Sequence, residues 1–328
     1  MAPSLTDVAI KGTRASLSTL RAFGKRIPGA GEVLALSLED AVSNRVVMIT
    51  GASSGIGKAT ALKLGVAGAT VLLVARTREK LEEVQREIER LGGIAYVHAS
   101  DLTDADDIDR MAAEVLEQHR AVDILVNNAG RSIRRSIERS YDRFHDYQRT
   151  MQLNYFGPVK LILDLLPGMR ERETGHIINI STMGLQVNTP RFAAYLASKA
   201  ALDAFSRSIG AEIIGDGVHI TTVYMPLVRT PMIAPTKMYD RFPTLSSEEA
   251  ADLICDAIRK RPKRVATALG NLGQLTYAIA PGAQDLVVHR AFNLFPESDD
   301  AQRASDGEPD HETAEQRAFR RATRGVHW

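Results

Sequence analysis

From Arg45 onward, apolar and polar positions alternate between two rhythms. Val46-Val47-Met48-Ile49 is a short unbroken apolar run, which a strand buried on both faces requires. Comparable runs fall at Thr70 to Val74, Ala95 to Ala99, Ile124 to Val126, Ile177 to Ile180 and Ile220 to Tyr224, with a last strand expected at Val265 to Leu269. Between them the apolar residues return at helical spacing: Lys58 to Ala67, Glu79 to Leu91, Asp104 to Gln118, about Ser140 to Arg170, and Ala194 to Gly210. Repeated strand–helix–strand units with buried strands predict an α/β protein with a single doubly wound parallel sheet. No internal repeat is present.

Two extensions flank this core. Residues 1–44 read as an N-terminal helical extension, 45–270 as the Rossmann-type domain that holds the sheet, and 271–328 as a C-terminal extension with a polar tail. In the first thirty residues five cations (Lys11, Arg14, Arg21, Lys25, Arg26) face the single Asp7, and Leu17, Leu20, Phe23 and Ile27 recur at helical spacing among them. Such a segment packs on the domain or a neighbouring subunit, or else lies as a basic amphipathic helix on anionic lipid. Residues 270–296 are apolar but broken by Gly273, Pro281 and Gly282; beyond Pro296 the chain turns acidic, then basic, as a weakly ordered tail does.

Composition narrows the classes. A net charge of +1 over 328 residues gives no reason to expect nucleic-acid binding. The single Cys255 excludes an intramolecular disulfide and fits a reducing cytoplasm. No apolar run is long enough to span a bilayer, and the basic N-terminus lacks the apolar core of a signal peptide. A cytoplasmic protein is expected, with membrane association left open by the N-terminal segment. The lone cysteine sits in an apolar helical stretch, Ala250 to Ile258, with nothing basic adjacent, and reads as structural.

The first strand runs into Thr50-Gly51-Ala52-Ser53-Ser54-Gly55-Ile56-Gly57 and then a helix. Gly51 permits a sharp exit, Gly55 a close backbone approach to a pyrophosphate, and Gly57 close packing of helix on strand. Gly51, Ser53, Ser54, Gly55, Ile56 and Gly57 are therefore the expected phosphate contacts of a dinucleotide-binding Rossmann fold, with the helix N-terminus facing the anion. The second strand ends in Ala75-Arg76, where an acidic residue would bind the ribose hydroxyls of NAD. Arg76 instead suits a 2′-phosphate, so the expected cofactor is NADPH/NADP+.

Tyr195 and Lys199 stand four apart on one helix face. A nearby ammonium should lower the phenol pKa from about 10; usefulness as an acid or base near neutrality asks for roughly three units, about 4 kcal/mol. With TGASSGIG, Asp101-Leu102, Asn127-Asn128-Ala129-Gly130 and Tyr195-x-x-x-Lys199 together, the chain resembles the short-chain dehydrogenase/reductase family over roughly Arg45 to Leu269. The resemblance implies that Asp101 and Leu102 flank the adenine and that Asn128, Ala129 and Gly130 stabilise the sheet beside the cofactor. It implies further that Asn154 holds a water of a proton relay, that Tyr195 is the acid/base, and that Lys199 binds the nicotinamide ribose. The family's hydroxyl about thirteen residues before the Tyr falls on Thr182, with Ser181 beside it. Spacing favours Thr182 and the position of Gly184 favours Ser181, so both stand. Pro226 and Thr230, near the expected nicotinamide amide, lie in a segment without the family's usual Pro-Gly.

The segments beginning at Ala129 and Met225, and the closing His327-Trp328, are more narrowly similar to short-chain-type fatty acyl-CoA reductases of wax-ester-forming bacteria. That resemblance implies an NADPH-dependent reduction of a long-chain acyl-CoA to a fatty aldehyde; a ketone or aldehyde reductase, or an alcohol dehydrogenase, on another apolar substrate is the alternative, and a non-catalytic NADP-binding protein a more distant one. It also implies a homo-oligomer, a dimer or tetramer. No metal is called for. Arg131, Arg134, Arg135 and Arg139 follow the Asn-Asn-Ala-Gly turn and would suit CoA phosphates or form a solvated loop; Arg191 and Phe192 are expected at the substrate mouth.

Overall fold

The computed structural model describes residues 36–233 and 244–294. The expected N-terminal amphipathic helix, the polar tail beyond Pro296 and His327-Trp328 lie outside the described residues. A short helix α1 (Leu38–Val42) leads into β1 (Val46–Thr50), α2 (Gly55–Val66), β2 (Thr70–Ala75), α3 (Arg78–Arg90), β3 (Ile94–Ala99), α4 (Ala105–His119) and β4 (Ile124–Asn127). There follow α5 (Phe144–Met151), α6 (Gly157–Glu171), β5 (Gly175–Thr182), α7 (Met183–Val187), α8 (Ala193–Glu212) and β6 (Val218–Met225). The described chain closes with α9 (Ser247–Lys260), β7 (Arg264–Val265), α10 (Ala268–Ile279) and α11 (Pro281–Leu294).

The seven strands form one sheet in the order β3-β2-β1-β4-β5-β6-β7, and every recorded pairing is parallel. This is the expected doubly wound sheet. Neighbouring side chains on a strand point to opposite faces, and the core divides accordingly. Val47, Ile49, Val71 and Leu73 pack with Leu64 and Ile254 on one side. Met48, Leu72, Val74 and Leu125 pack with Leu161 and Ile177 on the other. Burial on both faces explains why these strands read as continuous apolar runs rather than alternating ones.

Three expectations change. The helix expected over Ser140 to Arg170 is interrupted: a 3-10 turn at Ile137–Arg139 precedes α5, and a π-turn at Gln152–Phe156 joins α5 to α6. A π-turn adds a residue to the helical ladder and rotates the helix beyond it; here it carries Asn154. The last strand covers only Arg264–Val265 because Thr267 caps the next helix, its hydroxyl accepting from the Gly270 amide at 3.0 Å. The glycines and proline after 270 do not break the chain into loop. Gly273 lies within the first of two helices, and Pro281 and Gly282 open the second.

His176 lies in β5 with 1% of its surface exposed, its Nε2 2.9 Å from the Thr221 hydroxyl. Burial, with Arg261 and His219 adding to it, pushes its pKa down to about 3. In the unfolded chain a histidine titrates near 6.5. Below that pH the unfolded state takes up a proton that the folded state refuses, so stability present above about pH 6.5 is lost as pH falls. Urea unfolding between about pH 6 and 5 should show His176→Gln losing about 1.4 kcal/mol less per pH unit than the unmodified chain; parallel slopes would show that His176 does not govern the acid loss.

Candidate active site

The site grows from the point where strand order reverses, between β1 and β4. Thr50 ends β1, and its hydroxyl donates to the Val126 carbonyl at 3.3 Å and accepts from the amides of Asn128 (3.0 Å) and Ala129 (2.9 Å). The Asn128 side-chain amide returns a hydrogen bond to the Thr50 carbonyl at 2.9 Å. These bonds hold the two turns leaving β1 and β4 against each other. Gly51 leaves β1 at φ +67°, a left-handed conformation that glycine adopts without steric cost. A Cβ on Gly57 would stand 2.3 Å from the Gly51 carbonyl oxygen, so the α2 backbone reaches the turn only as glycine. No side chain caps the first turn of α2, and its amides are left to an anion.

A cleft of about 1200 Å³ opens over this crevice. Gly51, Ser53, Ser54, Gly55 and Ile56 line one end, with Arg76 at the tip of β2. Asp101, Leu102, Asn128, Ala129 and Gly130 continue along the wall. Ser181, Thr182, Tyr195, Lys199, Pro226 and Thr230 line its middle. Gly57 and Asn154 stand behind the wall rather than in it. The Asp101 carboxylate accepts from the Thr103 amide and hydroxyl at 3.0 and 2.8 Å, and Leu102 is buried against Gly157. Thr230 packs beside Gly55, so the segment after β6 closes over the glycine turn.

Asn154 is fixed from both sides. Its side chain accepts from the Arg131 amide at 2.8 Å and donates to the Arg131 carbonyl and to Ser198 Oγ, both at 2.9 Å; Ser198 donates on to the Tyr195 carbonyl at 2.6 Å. The π-turn thus locks the start of α8 to the turn after β4. Lys199 is buried and donates to the Ile180 carbonyl at 2.7 Å. Of the two candidate hydroxyls, that of Thr182 hydrogen-bonds the Tyr195 phenol and accepts from the Gly184 amide at 3.1 Å. Ser181 is buried one residue earlier, and its hydroxyl meets no partner among the described residues. The geometry therefore brings Thr182, not Ser181, to Tyr195.

The expected lowering of the tyrosine pKa by Lys199 is corrected. Burial pushes the phenol up to about 12, against a smaller lowering by Thr182. Tyr195 lines the open cleft and is only half-buried as a residue, so solvent there moderates the rise. The same burial brings the Lys199 ammonium down to about 8. In these surroundings the phenol holds its proton at neutral pH.

The four arginines separate. Arg131, Arg134 and Arg135 line the cleft. Arg139 ends the 3-10 turn outside it. Arg135 also pairs at 3.3 Å with the buried Asp146, which Arg143 approaches at 3.6 Å and Arg149 hydrogen-bonds. Burial would raise the Asp146 pKa, but Arg149, Arg135 and Arg143 together hold it below the usual carboxylate range. Phe192 lines the cleft, whereas Arg191 stacks on Phe292 of α11, 3.9 Å from the ring centre, and donates to its carbonyl at 3.2 Å. Cys255 is buried away from the cleft, its thiol pushed up to about 12 by burial. No cluster of His, Cys, Asp or Glu among the described residues could hold a metal ion.

Two sets of lining residues go beyond those the sequence points to. Lys80 and Thr77 join Arg76; a lysine one turn along α3 is a usable signal for a second cation. At the opposite end Met183, Val187, Met232, Leu269, Val287 and Ala291 make an apolar wall. Leu269, Val287 and Ala291 come from α10 and α11, whose approach no local pattern reveals.

A family model for short chain dehydrogenase matches residues 45–239. Among curated proteins, a fatty acyl-CoA reductase of Acinetobacter baylyi is 56% identical over 287 residues, covering 88% of this chain and 96% of that protein. A fatty acyl-CoA reductase of Mycobacterium tuberculosis is 46% identical over 255 residues, 77% of this chain and 84% of that one. Among solved structures, a metagenomic short-chain oxidoreductase in complex with NADP superposes with a TM-score of 0.58 at 31% identity, covering 69% of this chain and 99% of that chain. The chain belongs to the short-chain dehydrogenases; it is an oxidoreductase that uses a nicotinamide cofactor.

The glycine contact makes a direct test. Gly57→Ala should lower unfolding stability by about 1–3 kcal/mol, since backbone must move to admit the methyl. Gly215→Ala, with no atom within 4 Å of its Cβ position, should be neutral or slightly stabilising. Equal urea midpoints for the two variants would show that the turn tolerates a side chain.

Proposed function

We propose that the protein reduces a long-chain fatty acyl-CoA thioester to a fatty aldehyde with NADPH, and that Tyr195 is its acid/base. The observation that carries this reading is the continuity of one cleft, from the glycine turn and Arg76, past Tyr195 and Thr182, to the apolar wall of Val187, Leu269 and Val287. The identity to the Acinetobacter fatty acyl-CoA reductase over nearly all of that protein supports the same substrate class.

The residues fit the cofactor. The Gly57–Gly51 contact and the uncapped α2 terminus make a cradle for a diphosphate. Arg76 and Lys80, two cations lining the cleft beyond the end of β2, would hold a 2′-phosphate. Bound NADPH supplies a hydride to the substrate carbonyl. The protein's part is then proton and charge management at one oxygen. As the thioester carbon becomes tetrahedral, its oxygen takes up negative charge, and the hydroxyls of Tyr195 and Thr182 are together on one wall to donate to it. The neutral phenol hands over its proton and leaves a hemithioacetal. Taking that proton back reforms the carbonyl and expels the CoA thiolate, a fair leaving group because thiols ionise near 8.5. Thioester and hydride are thereby converted into aldehyde and thiolate, which takes a proton from water to become the thiol, with no covalent enzyme intermediate, in keeping with a buried, unreactive Cys255. Asn154 and Ser198 position the α8 turn that carries Tyr195, while Arg131 and Arg134 offer cations at the wall for CoA phosphates.

Following NADPH oxidation and free thiol together with a long-chain acyl-CoA should give both signals in equal amounts. Hydride consumption without thiol would leave a reductase of some other apolar carbonyl. Tyr195→Phe should cost about a hundredfold or more in kcat with NADPH binding intact, and Thr182→Val a similar factor. Ser181→Ala should stay near the unmodified rate; a larger loss in Ser181→Ala than in Thr182→Val would reverse the assignment. For the cofactor, Arg76→Ala should weaken NADPH by about 1.5–3 kcal/mol and leave NADH almost unchanged, because one charged hydrogen-bond partner is removed. Equal weakening of both in a fluorescence titration would take Arg76 away from the phosphate.

A further inference from the structure

The twenty residues 265–284 carry no charged side chain, although a quarter of the whole chain is charged. They do not run through the core. From Asn271 to Ala283 every residue except Gly273 is exposed, including Leu275 at 56% and Ile279 at 74%. The helix pair α10–α11 is rooted on the domain at two points of close approach. A Cβ on Gly270 would meet the Gln186 side chain at 2.2 Å, and one on Gly273 would meet Val187 at 2.6 Å. Beyond that root the hairpin leaves its apolar side chains uncovered, and the turn at its tip is Ile279-Ala280-Pro281-Gly282. No helix among the described residues is long and apolar enough to cross a membrane, so this stretch is a surface element and not a span.

Cations gather where the hairpin joins the domain. Arg264 donates to Asn271 and Gln274 of α10 at 3.2 and 2.8 Å, and Lys263 stands exposed beside it. Arg290 lies exposed on α11 and Arg191 stacks on Phe292, while Asp285 is the one acid on the two helices. An uncharged tip with a basic collar matches a bilayer with anionic headgroups: apolar side chains enter the acyl boundary and the cations meet phosphates. We propose that the α10–α11 hairpin docks the protein on an anionic lipid surface. A second copy is a poorer occupant on two counts. It would cover one face of a hairpin exposed on both, and a two-fold contact would bring the basic collars together. The half-buried residues of the same helices, Leu269, Val288 and Ala291, line the cleft, so docking sets the cleft's apolar end at the membrane. Where an acyl chain or aldehyde is the ligand, as the functional reading has it, it would pass between lipid and site with little exposure to water.

The test is co-sedimentation of the full chain with phosphatidylcholine vesicles, with and without phosphatidylglycerol. Binding is read without turnover, so its outcome is independent of the substrate assignment. The unmodified chain should sediment with the anionic vesicles. Leu275→Asp combined with Ile279→Asp should weaken binding roughly tenfold or more, and Lys263→Glu with Arg290→Glu should weaken it on anionic vesicles and remove its salt dependence. Ile214→Asp, at an exposed position shortly before β6 and so at the other end of the strands from the cleft, should bind like the unmodified chain. Three results overturn the proposal: no vesicle binding by the unmodified chain, binding indifferent to the hairpin substitutions, or an oligomer that falls apart on gel filtration when the hairpin is substituted, which would give the surface to a second copy.

Discussion

Thr50 stands at the end of β1 with its hydroxyl shared between β4 and the turn after it, and the site depends on that one buried arrangement. A parallel sheet parts where its strand order reverses, and the two chains leaving that point diverge to opposite faces. Thr50 and Asn128 hold them together by hydrogen bonds made out of water, where an unmade bond would cost more than a surface one. Because the β1 turn is held, α2 begins directly over it, in the close Gly57–Gly51 contact. Because the β4 turn is held, Gly130 and Arg131 present a surface against which Asn154 and Lys199 pack. Two helices from opposite faces of the sheet are thereby referred to the same few backbone atoms.

How much of this is legible in the chain depends on whether the cause is local. The strands are legible because burial on both faces demands unbroken apolar runs, and the Val46–Ile49 run shows that demand directly. The phosphate turn is legible because Gly51 and Gly57 meet steric requirements written into three consecutive elements. The choice between Ser181 and Thr182 is not, since β5 could end in either phase; only the folded chain sets the Thr182 hydroxyl against the Tyr195 phenol of α8. The π-turn at Asn154 is equally hidden, because a helical period over Ser140 to Arg170 looks the same with or without one added residue. The α10–α11 pair reads in the sequence as broken apolar chain. Gly270 and Gly273 are contact points on Gln186 and Val187, residues eighty or more positions earlier, which no window of sequence contains.

Electrostatics shows the same division more sharply. Spacing places an ammonium one turn from a phenol and leads to an expected fall in pKa. The fold adds what spacing lacks. Lys199 points its charge at the Ile180 carbonyl, and desolvation acts on both groups, raising the acid and lowering the base. For an oxidation started by phenolate this would be a handicap. For a reduction it is an advantage, because the step needs a proton on the tyrosine before the carbonyl oxygen becomes basic. A neutral phenol in a partly desolvated wall gives up its proton only to a strong base, such as an alkoxide, and so is not discharged to solvent between turnovers.

The cleft joins two solvents. One end is a place for charge, with uncapped helix amides, Arg76 and Lys80; the other offers Val187, Leu269 and Val288. A charged cofactor held at one end and an apolar ligand held at the other would meet between them, where Tyr195 and Thr182 line the cleft. The apolar end is made by the helices that also present uncharged surface outward. The same helices line the cleft through Leu269, Val288 and Ala291 and expose Leu275, Ile279 and Leu286 outside it. In water that arrangement is unfavourable, because exposed Leu and Ile side chains order solvent with no compensating contact. It becomes favourable when the medium outside resembles the cleft inside, and the chain's lack of charge over 265–284 is what allows both faces to meet the same kind of medium.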